Sequence, residues 1–262
     1  MVEKRGKSGT KNNQILGLDI GGSGCKAAIV DISTGEFLTD RFRLETPQPS
    51  TPKAVALTVK KIIKHFDWKG KVGVGFPAIM KKGVAHSAAN IHKDWYLTNV
   101  ENVLSKAIKL PVKATNDADA AGLAALRFGA GKDQEGVVLF LTIGTGIGSA
   151  LFLDGKLLPN SEFGHVFFKK DIAEKYAANS VRKQKELTYK QWGKRWNEYL
   201  KHIERITNPD LIILGGGGGK KFDQFAEYIK VDTKVIPATL RNNAGIIGAA
   251  MYAHEYIKAD IL

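Results

Sequence analysis

The sequence predicts an α/β fold of two similar lobes with a cleft between them, for three reasons. A glycine-rich turn between two apolar strands occurs twice, at 18–24 and at 141–146. When the two copies are aligned at one spacing, Gly21 matches Gly144 and Asp31 matches Asp154. The length of 262 residues is enough to bury two hydrophobic cores.

Each copy predicts a β-hairpin with a glycine-rich tip. Glycine has no Cβ, so its backbone N–H can point at an anion without steric cost. The two tips also carry the phosphate donors Ser23, Lys26, Thr142 and Thr145. We therefore expect the two turns to hold one phosphate group from both sides; the alternative is two ordinary hairpins.

The first lobe begins as an antiparallel meander, with strands at 14–20 and 26–31 and a third strand at 36–44. Prolines then interrupt the chain, and Thr51 is placed to cap a helix. Its apolar residues recur at helical spacing: Val55, Val59, Ile62, Ile63 and Phe66. A buried strand follows at 72–76.

The middle of the chain predicts loop and short strand at 77–90, then an amphipathic helix at 100–108. A strand at 112–115 stops at Asn116. The alanine- and leucine-rich stretch 117–128 predicts a helix that ends at Gly129.

The second lobe is predicted to start with strands at 137–143 and 149–153 and to carry a long helix over 185–207. A strand at 211–214 then leads into five glycines, 215–219, which we expect to form neither helix nor strand. A helix over 245–257 closes the chain. These predictions define four ranges: a flexible basic tail 1–14, an N-terminal lobe 15–115, a C-terminal lobe 116–244, and a final helix at about 245–262 that is able to return to the first lobe.

The formal charge of +13 favours a polyanionic partner, either nucleic acid or a long phosphate polymer, although solvated helix faces also explain it. The single cysteine, Cys25, excludes an internal disulfide, and no Cys/His cluster has zinc-site spacing. The polar N-terminus does not resemble a signal peptide, and no run of about eighteen apolar residues occurs. We expect a soluble, cytoplasmic protein without a membrane partner.

The two glycine-tipped hairpins and the late glycine cluster resemble the superfamily of actin, hexokinase and the heat-shock chaperones, whose lobes are actin-like (ribonuclease H-like). Within it, residues 116–122 (Asn-Asp-Ala-Asp-Ala-Ala-Gly) and 162–165 (Glu-Phe-Gly-His) resemble the sugar-binding segments of the ROK sugar kinases. The resemblance covers about residues 15–250.

Many ROK kinases follow the Gly-His pair with a cysteine-rich zinc loop, but residues 166–185 contain no cysteine, so zinc is not expected. Residues 46–52 and 86–90 are similar to the zinc-free polyphosphate glucokinase branch, although Phe167, Phe168 and Lys170 depart from its pattern. The resemblance implies Mg²⁺-dependent transfer of a phosphoryl group from inorganic polyphosphate or ATP to the 6-hydroxyl of glucose. It also implies mannose as a second acceptor and a homodimer.

The resemblance assigns the catalytic base to Asp117, whose alternative role is to cap the following helix. It gives the sugar-binding set as Asn90, Asn116, Asp117, Glu162, His165 and Glu174. His165 could otherwise be a histidine without a ligand. Glu174 could be a solvated helix residue.

Asp19 is the candidate Mg²⁺ ligand, acting through water, and its alternative is a turn-stabilising aspartate. The candidate phosphate and nucleotide ligands are Gly21, Gly22, Ser23, Gly24, Lys26, Thr142, Gly144, Thr145, Gly146, Gly215, Gly216, Gly217 and Gly218. The last four would line the adenosine of ATP, or else form a tight turn. Lys26 could also be a solvated strand residue.

Two other functions share parts of this sequence pattern. An ATP-only hexose or amino-sugar kinase would share every site residue but would not need a basic track, that is, a row of basic side chains that guides polyphosphate to the site. The candidates for this basic track are Lys169, Lys170, Lys175, Arg182, Lys183 and Lys185. ROK repressors carry a DNA-binding domain before the first lobe, and the residues before Ile15 are too few for one. We therefore expect no nucleic-acid partner.

Overall fold

The computed structural model describes residues 13–257, so the predicted tail 1–14 and the end of the predicted final helix, 258–262, lie almost wholly outside the described residues. The strands are β1 (Gln14–Ile20), β2 (Cys25–Asp31), β3 (Glu36–Phe37), β4 (Phe42–Leu44), β5 (Val72–Phe76), β6 (Met80–Lys81), β7 (Val84–Ala85), β8 (Val112–Asn116), β9 (Val137–Ile143), β10 (Ile147–Leu153), β11 (Lys156–Leu158), β12 (Phe167–Phe168), β13 (Asp171–Ile172), β14 (Leu211–Gly215) and β15 (Lys234–Pro237). The α-helices are α1 (Pro52–His65), α2 (Val100–Ile108), α3 (Asp117–Phe128), α4 (Glu174–Ala177), α5 (Asn179–Gln184), α6 (Tyr189–Thr207), α7 (Gly216–Gly219) and α8 (Ala244–Tyr256). None of these helices is long and apolar enough to cross a bilayer.

Two sheets share one topology. The first has the order β3-β2-β1-β5-β8, with β4 also paired to β2, and the second has the order β11-β10-β9-β14-β15. In each sheet the two hairpin strands pair antiparallel, and two more strands extend the sheet in parallel. In the first sheet β5 pairs with β1 and β8 pairs with β5; in the second, β14 pairs with β9 and β15 pairs with β14. The glycine turns join the two strands of each hairpin, which agrees with the duplication predicted from the sequence.

Helices α3 and α8 lie between the two sheets: α8 packs on β1 and β5, and α3 packs on β10. Three glycines allow the close approach. A Cβ at Gly17 would lie 2.1 Å from the carbonyl oxygen of Ile246, and one at Gly73 would lie 1.9 Å from that of Ala249. At the third, Gly248, a Cβ would lie 1.6 Å from the carbonyl oxygen of Ala120, so α8 and α3 touch through their backbones.

The outer faces are covered by α1 and α2 on the first sheet and by α6 on the second. The lobe boundaries at 115 and 244 stay a prediction.

Helix α1 begins where the sequence predicts, because the Thr51 hydroxyl accepts a hydrogen bond from the Ala54 amide at 3.3 Å. Its residues Val55, Val59 and Ile62 are buried against the first sheet.

Two predicted boundaries were wrong. The third strand expected over 36–44 is interrupted, and β3 and β4 pair with opposite ends of β2. The long helix starts at Tyr189 and not at residue 185, because Thr188 and Gln191 form a capping box there. The preceding residues form the separate short helix α5.

The five glycines were also predicted wrongly, because Gly215 ends β14 and the other four form the single turn α7. Gly216 has a φ of +73°, and a Cβ there would lie 2.7 Å from the backbone nitrogen and oxygen of Ile143. A Cβ at Gly218 would lie 2.4 Å from the Ile143 side chain. The run folds as a helical turn because only glycine lets that turn pack directly on the end of β9.

Candidate active site

The predicted base, Asp117, is the first residue of α3 and directly follows β8. The helix cap is supplied by Asn116, whose Oδ1 accepts hydrogen bonds from the amides of Ala118 at 2.8 Å and Asp119 at 3.2 Å. The Asp117 carboxylate accepts one further bond, from the Ala118 amide at 2.9 Å. Because Asn116 caps the helix, the Asp117 carboxylate is not needed for that purpose.

Burial, together with the negative charges of Asp19 and Glu162, raises the pKa of Asp117 to about 7. A carboxylate whose pKa lies near neutral pH accepts a proton far better than an ordinary aspartate. These electrostatic effects also show that the three carboxylates, which come from both halves of the chain, lie in one neighbourhood.

Glu162, His165 and Glu174 form a polar cluster. His165 Nδ1 is 3.0 Å from Glu162 Oε2, and His165 Nε2 is 3.7 Å from Glu174 Oε1. Burial raises the pKa of Glu162, and His165 opposes this rise. Such a cluster offers several donors and acceptors to the hydroxyl groups of a sugar.

Glu174 also reaches the second glycine turn. Its Oε2 accepts a hydrogen bond from the Ile147 amide at 3.2 Å, and a Cβ at Gly146 would lie 2.2 Å from the same oxygen. Its side chain is 22% exposed. Glu174 is therefore not the solvated helix residue considered as the alternative, because it joins His165 to the second glycine turn.

The segment 160–165, which carries Glu162 and His165, is held along its backbone. Ser149 Oγ donates to the Ser161 carbonyl at 2.6 Å and accepts from the Phe163 amide at 2.9 Å. The Tyr199 hydroxyl donates to the Phe163 carbonyl at 3.0 Å. These bonds fix the direction in which the side chains of Glu162 and His165 leave the chain.

The first glycine turn is closed by a 3.0 Å bond from the Gly21 amide to the Gly24 carbonyl. Three side chains from the segment after β2 bind its carbonyl groups: Thr46 on Gly21 at 2.5 Å, Arg43 on Ser23 at 2.8 Å and Gln48 on Gly22 at 3.4 Å. The exposed residue Asn90 lies beside this turn, since a Cβ at Gly22 would be 3.5 Å from its carbonyl oxygen.

The second turn is closed in the same way, by a 3.0 Å bond from the Gly144 amide to the Gly146 carbonyl. Ser180 secures it from outside: its amide donates to the Gly144 carbonyl at 3.3 Å and its hydroxyl donates to the Thr145 carbonyl. The Thr142 hydroxyl accepts from the Gly148 amide at 3.2 Å. A Cβ at Gly144 would meet no atom within 4 Å, so the turn faces open space.

The candidate magnesium ligand Asp19 forms an ion pair with Lys26 across the first hairpin, at 2.9 Å. Within residues 13–257 no group of three His, Cys, Asp or Glu side chains could hold a metal ion. A single carboxylate still fits Mg²⁺, which keeps several waters and takes other ligands from substrate phosphates. Lys26 is not the solvated strand residue considered as the alternative, because its ammonium group pairs with Asp19.

Two residues of the candidate basic track are engaged elsewhere. Lys169 forms an ion pair with Glu198, and Arg182 stacks over the ring of Tyr189. The other four candidates are exposed: Lys170, Lys175, Lys183 and Lys185.

Sequence reasoning missed the supporting residues Thr46, Ser149, Asn160 and Ser180. Asn160 offered one usable signal, because asparagine is typical of turns and this one stands two residues before Glu162. The structure gives it a backbone φ of +62°, which asparagine tolerates better than most residues. The others are ordinary hydroxyl residues whose partners are distant in sequence.

Comparisons with known proteins identify the family. The ROK family profile matches residues 15–174, and the chain belongs to the ROK family. It is 46% identical over 237 residues to the polyphosphate glucokinase of Mycobacterium tuberculosis, covering 90% of this chain and 89% of that protein. The crystal structure of the inorganic polyphosphate/ATP-glucomannokinase from Arthrobacter sp. strain KM matches with a TM-score of 0.87 and 42% identity, over 93% of this chain and 99% of that one. A ROK glucokinase from Streptomyces griseus, 21% identical with a TM-score of 0.80 over 92% of this chain and 99% of that one, shares the fold.

Proposed function

We propose that this chain transfers a phosphoryl group from inorganic polyphosphate or ATP to the 6-hydroxyl of glucose, with mannose as a second acceptor. The observation that carries the proposal is the similarity to the polyphosphate glucokinase of Mycobacterium tuberculosis over nearly the whole chain. The site supports it, because a carboxyl group with a pKa of about 7 lies beside a cluster of hydroxyl-binding groups.

In this proposal Glu162, His165 and Glu174 bind the sugar hydroxyls, with Asn90 and Asn116 as further ligands. Asn116 keeps one amide hydrogen for this purpose, since its Nδ2 donates to the Ala78 carbonyl at 3.1 Å. The Asp117 carboxylate accepts the proton of the 6-hydroxyl as that oxygen bonds to the terminal phosphorus. The bond from phosphorus to the bridging oxygen breaks, and the donor leaves as ADP or as a polyphosphate one unit shorter.

The two glycine turns bind the donor phosphates in this proposal, with Gly215–Gly218 beside the adenosine of ATP. Mg²⁺, when bound, neutralises the charge of the transferred phosphoryl group. Asp19 would hold that ion through water. Lys26 fixes the Asp19 carboxylate at 2.9 Å and adds a positive charge beside the turn.

The test is glucose 6-phosphate formation with glucose and Mg²⁺, measured in parallel with polyphosphate and with ATP. We expect activity with both donors, and a loss of about 10²- to 10⁴-fold in kcat/KM for Asp117→Asn. The matched control is Asp133→Asn, which changes an exposed aspartate at a φ of +60° that asparagine also adopts. It should leave kcat/KM unchanged.

Activity with ATP alone would replace the proposal by an ATP-only hexose or amino-sugar kinase. No activity with either donor would contradict it. A homodimer is the assembly that we propose from the family resemblance, and sedimentation velocity would test it.

A further inference from the structure

Asp119 is a buried carboxyl group that the proposed mechanism does not use. It lies two residues after Asp117 and is 1% exposed. Its Oδ2 accepts a hydrogen bond from the Asn160 amide at 2.9 Å, whereas its Oδ1 has no hydrogen-bond partner within residues 13–257. Burying an ionisable group with an incomplete set of partners is costly, and burial accordingly raises its pKa to about 7. A carboxyl group that is buried at this cost is expected to have a specific role.

Asn160, the partner of Asp119, also binds a distant part of the chain. Its Oδ1 accepts from the Met80 amide at 2.7 Å, and its Nδ2 donates to the Met80 carbonyl at 2.8 Å. The side chain thus pairs with Met80 through two bonds, as a neighbouring strand would. The backbone of Asn160 holds α3, while its side chain holds the hairpin of β6 and β7.

These bonds form a closed circuit with Asn116. The Asn116 side chain donates to the Ala78 carbonyl at 3.1 Å and accepts from the Asp119 amide at 3.2 Å. The circuit therefore runs from α3 to residues 78–80, on to Asn160, and back to α3 through Asp119. It does not include Asp117.

The three segments joined by this circuit are those that carry the proposed sugar site. The start of α3 carries Asp117, and the segment after Asn160 carries Glu162 and His165. The chain after the hairpin leads to Asn90, and it is tied to the hairpin because the Ile79 amide donates to the Ser87 hydroxyl at 2.9 Å.

We propose that Asp119 and Asn160 are positioning residues for the sugar site: their circuit sets where Glu162 and His165 lie relative to Asp117. This inference rests on the proposed function. The task of Asp119 is to accept the Asn160 amide bond, so an asparagine at position 119 should perform it as well. A displacement of about 1 Å at a reacting centre is enough to lower a rate by about 10²-fold.

The first test compares Asp119→Ala with Asp119→Asn. Alanine leaves the part-buried Asn160 amide without an acceptor, so we expect the KM for glucose to rise by about tenfold or more and kcat to fall, with the donor KM within about twofold of wild type. Asparagine keeps the acceptor, so both constants should stay within about threefold. Leu126→Ala is the matched control, because it removes a buried side chain of α3 away from the circuit. It should lower Tm without changing the glucose KM.

The second test asks whether both residues act through one circuit. Asn160→Gly keeps the positive φ and the amide that binds Asp119, and it removes only the two bonds to Met80. We expect it to raise the glucose KM by about fivefold or more. Combined with Asp119→Ala it should have less effect than the product of the two single changes, because both break the same circuit.

Glucose binding by titration calorimetry serves as a second readout. The inference is wrong if Asp119→Ala leaves the glucose KM and dissociation constant unchanged, if asparagine is as harmful as alanine, or if the donor KM rises by the same factor. If Asp119→Ala does not fold, an unchanged glucose KM in Asn160→Gly would by itself overturn the inference. Failure of the wild-type protein to phosphorylate glucose would instead refute the proposed function, so the two failures are distinguishable.

Discussion

Asp117 and Asp119 stand two residues apart on α3 and share a pKa of about 7, yet their surroundings differ. In both, burial is the main cause. The charge of Glu162 raises the pKa of both. Asp117 is also raised by the carboxylate of Asp19, whereas Asp119 is 1% exposed and bound to the Asn160 amide. The same residue type is therefore suited to proton transfer at one position and to support at the other.

The raised pKa of Asp117 predicts the pH dependence of the reaction. The base acts only when it is deprotonated, so kcat/KM for glucose should fall about tenfold for each pH unit below about 7 and level off above it. Initial rates between about pH 5.5 and pH 8.5 at saturating donor would measure this. A flat profile in the wild-type protein would contradict the assignment of Asp117 as the base.

The same pKa predicts a pH effect on stability. A carboxyl group with a folded pKa of about 7 and an unfolded pKa of about 3.9 binds more protons in the folded state between those values. Its contribution to stability is therefore fully present below about pH 4 and is lost as the pH rises through about 7.

Asp117→Asn removes this loss, so the variant should have a higher Tm than the wild type at about pH 8, by roughly 8 °C, and an equal Tm at about pH 4. Thermal unfolding at both pH values is the measurement. A variant that is less stable than the wild type at the higher pH would show that the charged carboxylate is stabilised by its surroundings.

Among the local elements, the glycine turn α7 shows how one residue type serves two purposes. Gly216 needs its φ of +73° and lies against the backbone of Ile143, so glycine is required there by geometry. Gly217 is exposed, and the nearest atom to a Cβ placed on it would be 4.0 Å away. Glycine at position 217 therefore leaves room for something outside the chain.

Alanine at each position separates these purposes. Gly216→Ala should lower the free energy of unfolding by about 1–2 kcal/mol or more, because alanine is strained at that φ and collides with Ile143. Gly217→Ala should leave Tm unchanged or higher, since alanine is the better helix former. If the adenosine of ATP lies beside α7, Gly217→Ala raises the KM for ATP and leaves that for polyphosphate unchanged. Equal effects on both donors would argue against a nucleotide contact.

At the scale of the molecule, the net charge of +13 bears on the choice of donor. Most long-range attraction between exposed charges is screened beyond about 10 Å at 0.1 M salt. If the exposed Lys170, Lys175, Lys183 and Lys185 guide a phosphate polymer, its binding should depend strongly on salt.

We expect the KM for long polyphosphate to rise steeply between about 50 and about 300 mM KCl, while the KM for glucose stays flat. Replacing Lys183 and Lys185 together by alanine should reduce this slope. Lys156→Ala, an exposed lysine on β11 outside the group, should not. If the KM values for polyphosphate and glucose respond equally to salt, these lysines form only a solvated surface and do not guide the polymer.

Much of the fold could be predicted because its signals are local. The two glycine-tipped hairpins, the Thr51 cap of α1 and the extent of α3 depend on neighbouring residues, and all three were predicted correctly. The start of α6 was missed although its signal, the Thr188 and Gln191 capping box, is also local. The error at the glycine run arose where packing between distant segments overrides local preference. The four glycines of α7 are poor helix formers that close contact with β9 nevertheless folds into a helical turn.

The same distinction between local signals and long-range contacts applies to the proposed site. Its chemical groups stand in short motifs, so Asp117, Glu162 and His165 could be proposed as site residues from the sequence alone. Their arrangement could not, because the bonds from Asn160 to Met80 and to Asp119 join residues that are far apart along the chain. The attachment of Glu174 to the second glycine turn is likewise a contact between two separate elements. Local sequence therefore determined the chemistry that this protein carries, whereas long-range packing determined how those groups are placed for use.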